Sequence, residues 1–166
     1  SLNALATVGY IDPEFDEFIT NVSDPATGET ALEDVSDERV FQNTPDWTAH
    51  VDLTYEFPVR LFDQPGNMSL IGGWSYRGDT NQFEVPSPFL DQDAYSLIDA
   101  SLIWKPLSGR YEVGLHANNI TDQQYRTSGH QFVTPDGSTS TLGLEGVANA
   151  FFAPPRTYSL TARVMF

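Results

Sequence analysis

Period-two alternation constrains this chain more than any other feature. Over 157–166, Tyr158, Leu160, Ala162, Val164 and Phe166 fall on one side of an extended strand, and Thr157, Ser159, Thr161, Arg163 and Met165 fall on the other. Consecutive strand side chains point to opposite faces, so such a segment presents one apolar and one polar surface. Five more segments read the same way: 2–10, 47–57, 68–77, 95–105 and 111–118. In the cleanest, Trp47, Ala49, Val51, Leu53, Tyr55 and Phe57 oppose Thr48, His50, Asp52, Thr54 and Glu56. The expectation is an all-β chain of six two-faced strands.

The links between these segments alternate in length: about thirty-five residues, then about ten, about seventeen, five, and about thirty-five again. In an antiparallel meander every second link lies at the same end. Long loops therefore collect on one side and short turns on the other, the asymmetry of transmembrane barrels. Aromatic residues stand at or near strand ends on the apolar side, among them Tyr10, Trp47, Phe57, Tyr76, Trp104, Tyr111 and Tyr158, where interfacial girdles belong. The opposite side carries His50, Asp52, Arg77, Asp99, His116 and Arg163. That chemistry suits a wet barrel lumen and is costly in a packed core. The fold expected is a transmembrane antiparallel β-barrel.

Charge and composition narrow the function. Twenty-three acidic side chains against 8 basic ones give a formal charge of −15, which argues against nucleic acid as a partner, because phosphate recognition needs clustered Lys and Arg. Much of the acid lies between Asp12 and Asp46, where Arg39 is the one basic residue, and this segment reads as a solvated loop. There is no cysteine, hence no disulfide framework or thiolate metal site. No apolar run approaches the roughly 20 residues of a membrane-spanning helix. Residue 1 lies at the edge of a strand-like pattern, so the chain is expected to be a fragment or a processed piece.

Several segments resemble one family. Asn118-Asn-Ile-Thr-Asp-Gln-Gln-Tyr125 is similar to the Asn-Leu-Thr-Asp-x-x-Tyr segment that ends the penultimate strand of TonB-dependent outer-membrane receptors, and Pro155-Arg-Thr-Tyr-Ser-Leu160 with the strand to Phe166 resembles their closing segment. Trp74-Ser-Tyr-Arg-Gly-Asp79 and Asn43-Thr-Pro-Asp-Trp47 look like pieces of the late barrel. The resemblance implies that residues 1–166 form the C-terminal six-strand sector of a larger barrel of about 22 strands. It implies active import of a scarce nutrient, an iron–siderophore, a cobalamin or an oligosaccharide, across the outer membrane of a Gram-negative bacterium. The implied partners are the rest of the barrel and its plug domain, the TonB complex acting through that plug, outer-membrane lipid and lipopolysaccharide, and the barrel assembly machinery. The plug and its TonB box are not found in these residues, so no energy-coupling position can be carried over. On the same ground Tyr158 and Phe166 are expected to form the barrel-assembly signal.

Candidate sites follow from side-chain chemistry. Phe132, Phe151 and Phe152 lie in a Gly-rich link, 127–155, and could stack on a sugar ring or an aromatic siderophore group. The alternative is a link packed on itself. The acidic segment could gather a hard cation through oxygen ligands, but it lacks the spacing of a dedicated calcium loop, and a solvated loop is preferred. His50 and His116 are read as hydrogen-bonded lumen residues, and Arg77, Arg156 and Arg163 as cross-strand partners of Asp52, Glu56 or Asp99. No metal, cofactor or catalytic constellation is expected, and the chain is not read as an enzyme. A passive porin and a soluble glycan-binding β-sandwich are the competing readings.

Overall fold

The computed structural model describes residues 1–24, 26–131 and 147–165. Ten strands occur among them: β1 (Leu2–Tyr10), β2 (Ile19–Ser23), β3 (Thr30–Asp34), β4 (Trp47–Leu61), β5 (Gln64–Arg77), β6 (Tyr95–Pro106), β7 (Tyr111–Asn118), β8 (Arg126–Gln131), β9 (Ala148–Phe152) and β10 (Thr157–Val164), with a single 3₁₀ turn at Ser36–Glu38. Six of them form one antiparallel sheet in the order β1-β4-β5-β6-β7-β10. These are the six segments picked out by alternation. The others pair as two hairpins, β2-β3 and β8-β9.

Two expectations are corrected. The first and last long links are not plain loops, for each carries a hairpin. Neither hairpin shows a clean two-faced pattern, because each lies at the loop end with no extended apolar surface to cover. The link expected at about ten residues is only two, Phe62 and Asp63, because β4 and β5 run on past Phe57 and Met68. Both turn residues have positive φ, 51° and 59°, the backbone of a type I′ turn, whose twist matches that of the flanking strands. The other short link turns at Gly109, where φ is 67°.

Register keeps the two faces apart across the sheet. Leu2, Tyr55, Leu70, Leu102, Leu115 and Leu160 stand in one continuous row. The adjacent row, Asn3, Thr54, Ile71, Ser101, His116 and Ser159, is polar but for Ile71. A slip of one residue in any strand would exchange its faces, so each strand's pattern reinforces its neighbours'. The apolar face has no covering layer among the described residues: Trp47, Leu53 and Leu160 are 51%, 48% and 69% exposed. Among the described residues, buried hydrophobic side chains are confined to Val35, Leu90 and Trp104. No closed barrel is formed among the described residues, since β1 and β10 are the free edges of the sheet.

Aromatics gather at both ends of the apolar face. At the end of the long links Tyr10 meets Trp47 with ring centroids 4.6 Å apart, and Trp74 lies 6.4 Å from Tyr76. At the opposite end Tyr55 stacks on Phe57, while Trp104 contacts Phe62 and Tyr111 edge-on. Trp104 is buried because Gly66 leaves its ring room. A Cβ at Gly66 would stand 2.5 Å from Trp104 Nε1 and 2.6 Å from the Lys105 carbonyl oxygen. Gly66→Ala is expected to destabilise the sheet by roughly 1–3 kcal/mol, the range of an overpacked site. A urea titration followed by Trp fluorescence measures it, and Gly72→Ala, where nothing lies within 4 Å of the added Cβ, serves as the tolerant control.

Candidate functional site

All three long links, 11–46, 78–94 and 119–156, leave the same end of the sheet, and the middle one is bonded there to each of the other two. The first two are joined by backbone bonds from Val40 N to Glu84 O and from Asn43 N to Asn81 O, both 2.9 Å. Arg77, the last residue of β5, donates from Nη2 to the Asn43 carbonyl at 2.7 Å. The second and third links meet at Arg126, whose amide donates to Gln92 Oε1 at 2.6 Å and whose Nη1 donates to the Asp91 carbonyl at 2.7 Å. The Asp91 carboxylate accepts the Gln82 and Ser87 amides and so holds the second link in its fold. Tyr125 stacks on Tyr95, centroids 4.3 Å apart.

The β8-β9 hairpin lies down on the second link at one close approach. A Cβ at Gly129 would meet Leu90 Cδ2 at 2.7 Å and the Asn149 carbonyl oxygen at 2.6 Å, and Leu90 beneath it is 1% exposed. Between Arg77, Tyr95, Tyr125 and Arg126 there remains a polar hollow of about 180 Å³, with the buried side chains of Thr80, Gln82 and Gln92 in its wall.

The segment 118–125 has a structural job visible in its bonds. Asn119 is buried with φ 51°, and its amide donates to Asp99 Oδ1 at 2.8 Å. Its side chain bonds the backbone of Gln123 twice, Nδ2 to the carbonyl at 2.9 Å and Oδ1 from the amide at 2.8 Å. Asp122, also at positive φ, accepts the Arg156 amide at 2.9 Å, and Arg156 Nη1 reaches the Ile120 carbonyl at 3.2 Å. This short turn therefore ties β6, β7 and the approach to β10 together. Asn and Asp suit it because they tolerate the left-handed conformation and bond their own backbone.

The sequence-predicted residues are scattered around this end and along the polar face. Phe151 and Phe152 are exposed on β9, with His130 edge-on to Phe151 at 6.4 Å; Phe132 and Phe166 lie outside the described residues. His50 Nε2 is 2.8 Å from Asp52 Oδ2, two residues along the same face of β4. His116 bridges three strands, with Nδ1 2.8 Å from Ser101 Oγ and Nε2 2.9 Å from Thr161 Oγ1. Gly114 makes room for that ring, since a Cβ there would be 2.7 Å from Nε2. The expected arginine–carboxylate pairs do not form: among the described residues Arg77 bonds the Asn43 carbonyl, Arg156 bonds the Ile120 carbonyl, and Arg163 faces Glu112 in register without an ion pair. Arg156 instead lies 5.9 Å over the Tyr158 ring. Sequence reasoning overlooked Gln82, Gln92 and Arg126, which lie in or beside links where no period marks them, and took Tyr95 only as the start of an alternating strand.

In the acidic segment, Asp34 Oδ1 accepts the Phe18 and Ser36 amides, both at 3.0 Å, and these bonds hold its carboxyl below the usual range. Asp24 is lowered likewise by the Ala26 amide and the Thr27 hydroxyl across the β2-β3 turn. No group of three or more His, Asp or Glu converges as a metal site among the described residues. No family model and no solved structure matches the chain.

Two outcomes are expected. Asn119→Ala loses two side-chain bonds and a residue suited to positive φ, and should cost roughly 1–3 kcal/mol in urea unfolding, with Asn118→Ala close to neutral. Because the folded Asp34 has a depressed pKa, its contribution is fully present above the unfolded carboxylate value and is lost as pH falls through the folded one. The Phe18 and Ser36 amides should thus lose protection from hydrogen exchange below about pH 4, after correction for intrinsic rates, and in Asp34→Ala should lack it already at neutral pH.

Proposed function

We propose that the chain is a sector of an outer-membrane β-barrel that imports a scarce nutrient, working as part of a TonB-dependent receptor. One observation carries this reading: an in-register apolar face with no protein layer over it among the described residues, bounded at both ends by aromatic clusters. Water is a poor solvent for such a face, and lipid is a good one. The span fits as well. Trp47 and Phe57, the outermost aromatics of the β4 apolar row, which itself runs on through Val59 and Leu61 to the turn, are about 33 Å apart at about 3.3 Å per residue, or about 25 Å along the membrane normal for a strand tilted by about 40°, the height of a barrel's apolar band.

The free edges of β1 and β10 support membership of a larger closed sheet, because an unpaired edge cannot stand in hydrocarbon. Further strands, from additional sequence or from other chains, complete it. The resemblance of 118–125 to the receptor family agrees with its position at the end of β7, the next-to-last strand of the sheet. In this reading the linked loop end faces outward and captures the ligand, the short turns face the periplasm, and the polar face lines the lumen beside a plug supplied elsewhere. A soluble sandwich would need a second sheet packed on Leu53, Leu102 and Leu160.

Lysine scanning tests the orientation in lipid. Leu53→Lys, near mid-span on the apolar face, should destabilise the folded protein in bilayers by roughly 2–4 kcal/mol, while Thr54→Lys on the polar face should cost far less. Equal costs, or a chain that folds as a monomer in buffer and fails to partition into vesicles, would sink the membrane reading. Uptake itself is read by deleting the gene and testing growth on iron chelates, cobalamin or oligosaccharides as limiting nutrients.

A further inference from the structure

We propose that the hollow between Arg77 and Arg126 binds an anionic group, a carboxylate or a phosphate, on a small ligand. The chain carries 23 acidic and 8 basic side chains, yet two of those 8 line this one cavity and no carboxylate does. Each guanidinium has five N–H donors. Arg77 commits one to the Asn43 carbonyl and Arg126 commits one to the Asp91 carbonyl, and neither is ion-paired among the described residues. Those two bonds hold the planar forks against neutral oxygens rather than carboxylates.

Neighbouring groups suit the same guest. Thr80, Gln82 and Gln92 form a buried, uncharged wall, Gln92 being held through Oε1 by the Arg126 amide and through Nε2 by the Asp93 carbonyl, and the stacked Tyr95 and Tyr125 close one side with flat apolar surface. Two fixed guanidiniums are matched by an oxyanion that accepts forked hydrogen bonds from each. At about 180 Å³ the hollow takes the charged end of a ligand rather than a whole siderophore or sugar chain. As the anchor of an imported nutrient the site rests on the transport reading above; as an anion site it stands on this geometry alone.

The test is residue-resolved arginine footprinting. The folded protein, purified in detergent micelles with any further strands that complete its sheet, is treated with phenylglyoxal with and without sodium phosphate, sodium acetate or glucose, and each arginine's modification is read by mass spectrometry. Phosphate or acetate should protect Arg77 and Arg126 and leave Arg60, Arg110 and Arg163 at their original rates; which of the two protects more identifies the oxyanion. In calorimetry with the protecting anion, Arg77→Gln and Arg126→Gln should each weaken binding by roughly ten- to a hundredfold, the worth of a charged hydrogen bond. If either variant fails to fold, the footprint on the unaltered chain decides. Uniform protection of all arginines, equal protection by glucose, or no protection overturns the site. A chain that shows the footprint but stays out of vesicles sinks the uptake reading and spares the anion site, and a chain that inserts without the footprint does the reverse.

Discussion

One constraint underlies the whole arrangement: in an antiparallel sheet, a side chain's face is set by the parity of its position, and register passes that parity from strand to strand. Here six strands agree, so Leu2 at one edge and Leu160 at the other belong to the same row. An apolar surface built this way cannot be hidden by local rearrangement, since rotating one strand exposes its partners. It needs a neighbour the width of the sheet. The described residues supply none, and the stability of the fold therefore depends on the medium beside it.

The alternation in 47–57 and 157–166 made the sheet, its strand order and its two faces readable in advance, because a strand with one apolar and one polar side must advertise both in its residues. Strand ends were less readable. Pro58, Pro65 and Gly66 interrupt the pattern where β4 and β5 continue to a two-residue turn, and the interruption reads as a loop. The hairpins β2-β3 and β8-β9 escaped for a related reason. Their strands, such as Ile19–Ser23 and Arg126–Gln131, lie at the loop end without a broad surface to cover, so no period is impressed on them.

Site residues were legible only where they shared a strand face. His50, Asp52 and His116 could be placed by parity, and their hydrogen bonds to near neighbours are ordinary consequences of that placement. Charge alone misled for the arginines: Arg77 and Arg156 bond backbone carbonyls because the links arch over the strand ends and bring those oxygens nearer than any carboxylate. The hollow beside Arg77 is assembled from 43, 80–82, 92–95 and 125–127, four stretches that meet only after folding.

The Gln92 side chain and the Asp91 carbonyl hold Arg126, while the backbone of 81–84 holds 40–43. The middle link is thus a keystone: its neighbours on either side lean on it and, among the described residues, no such bonds join them to each other. Trimming the outer arches leaves it standing, whereas loosening residues 80–92 frees both at once. Diversification of this rim is accordingly cheapest in the distal hairpins and dearest in the central span.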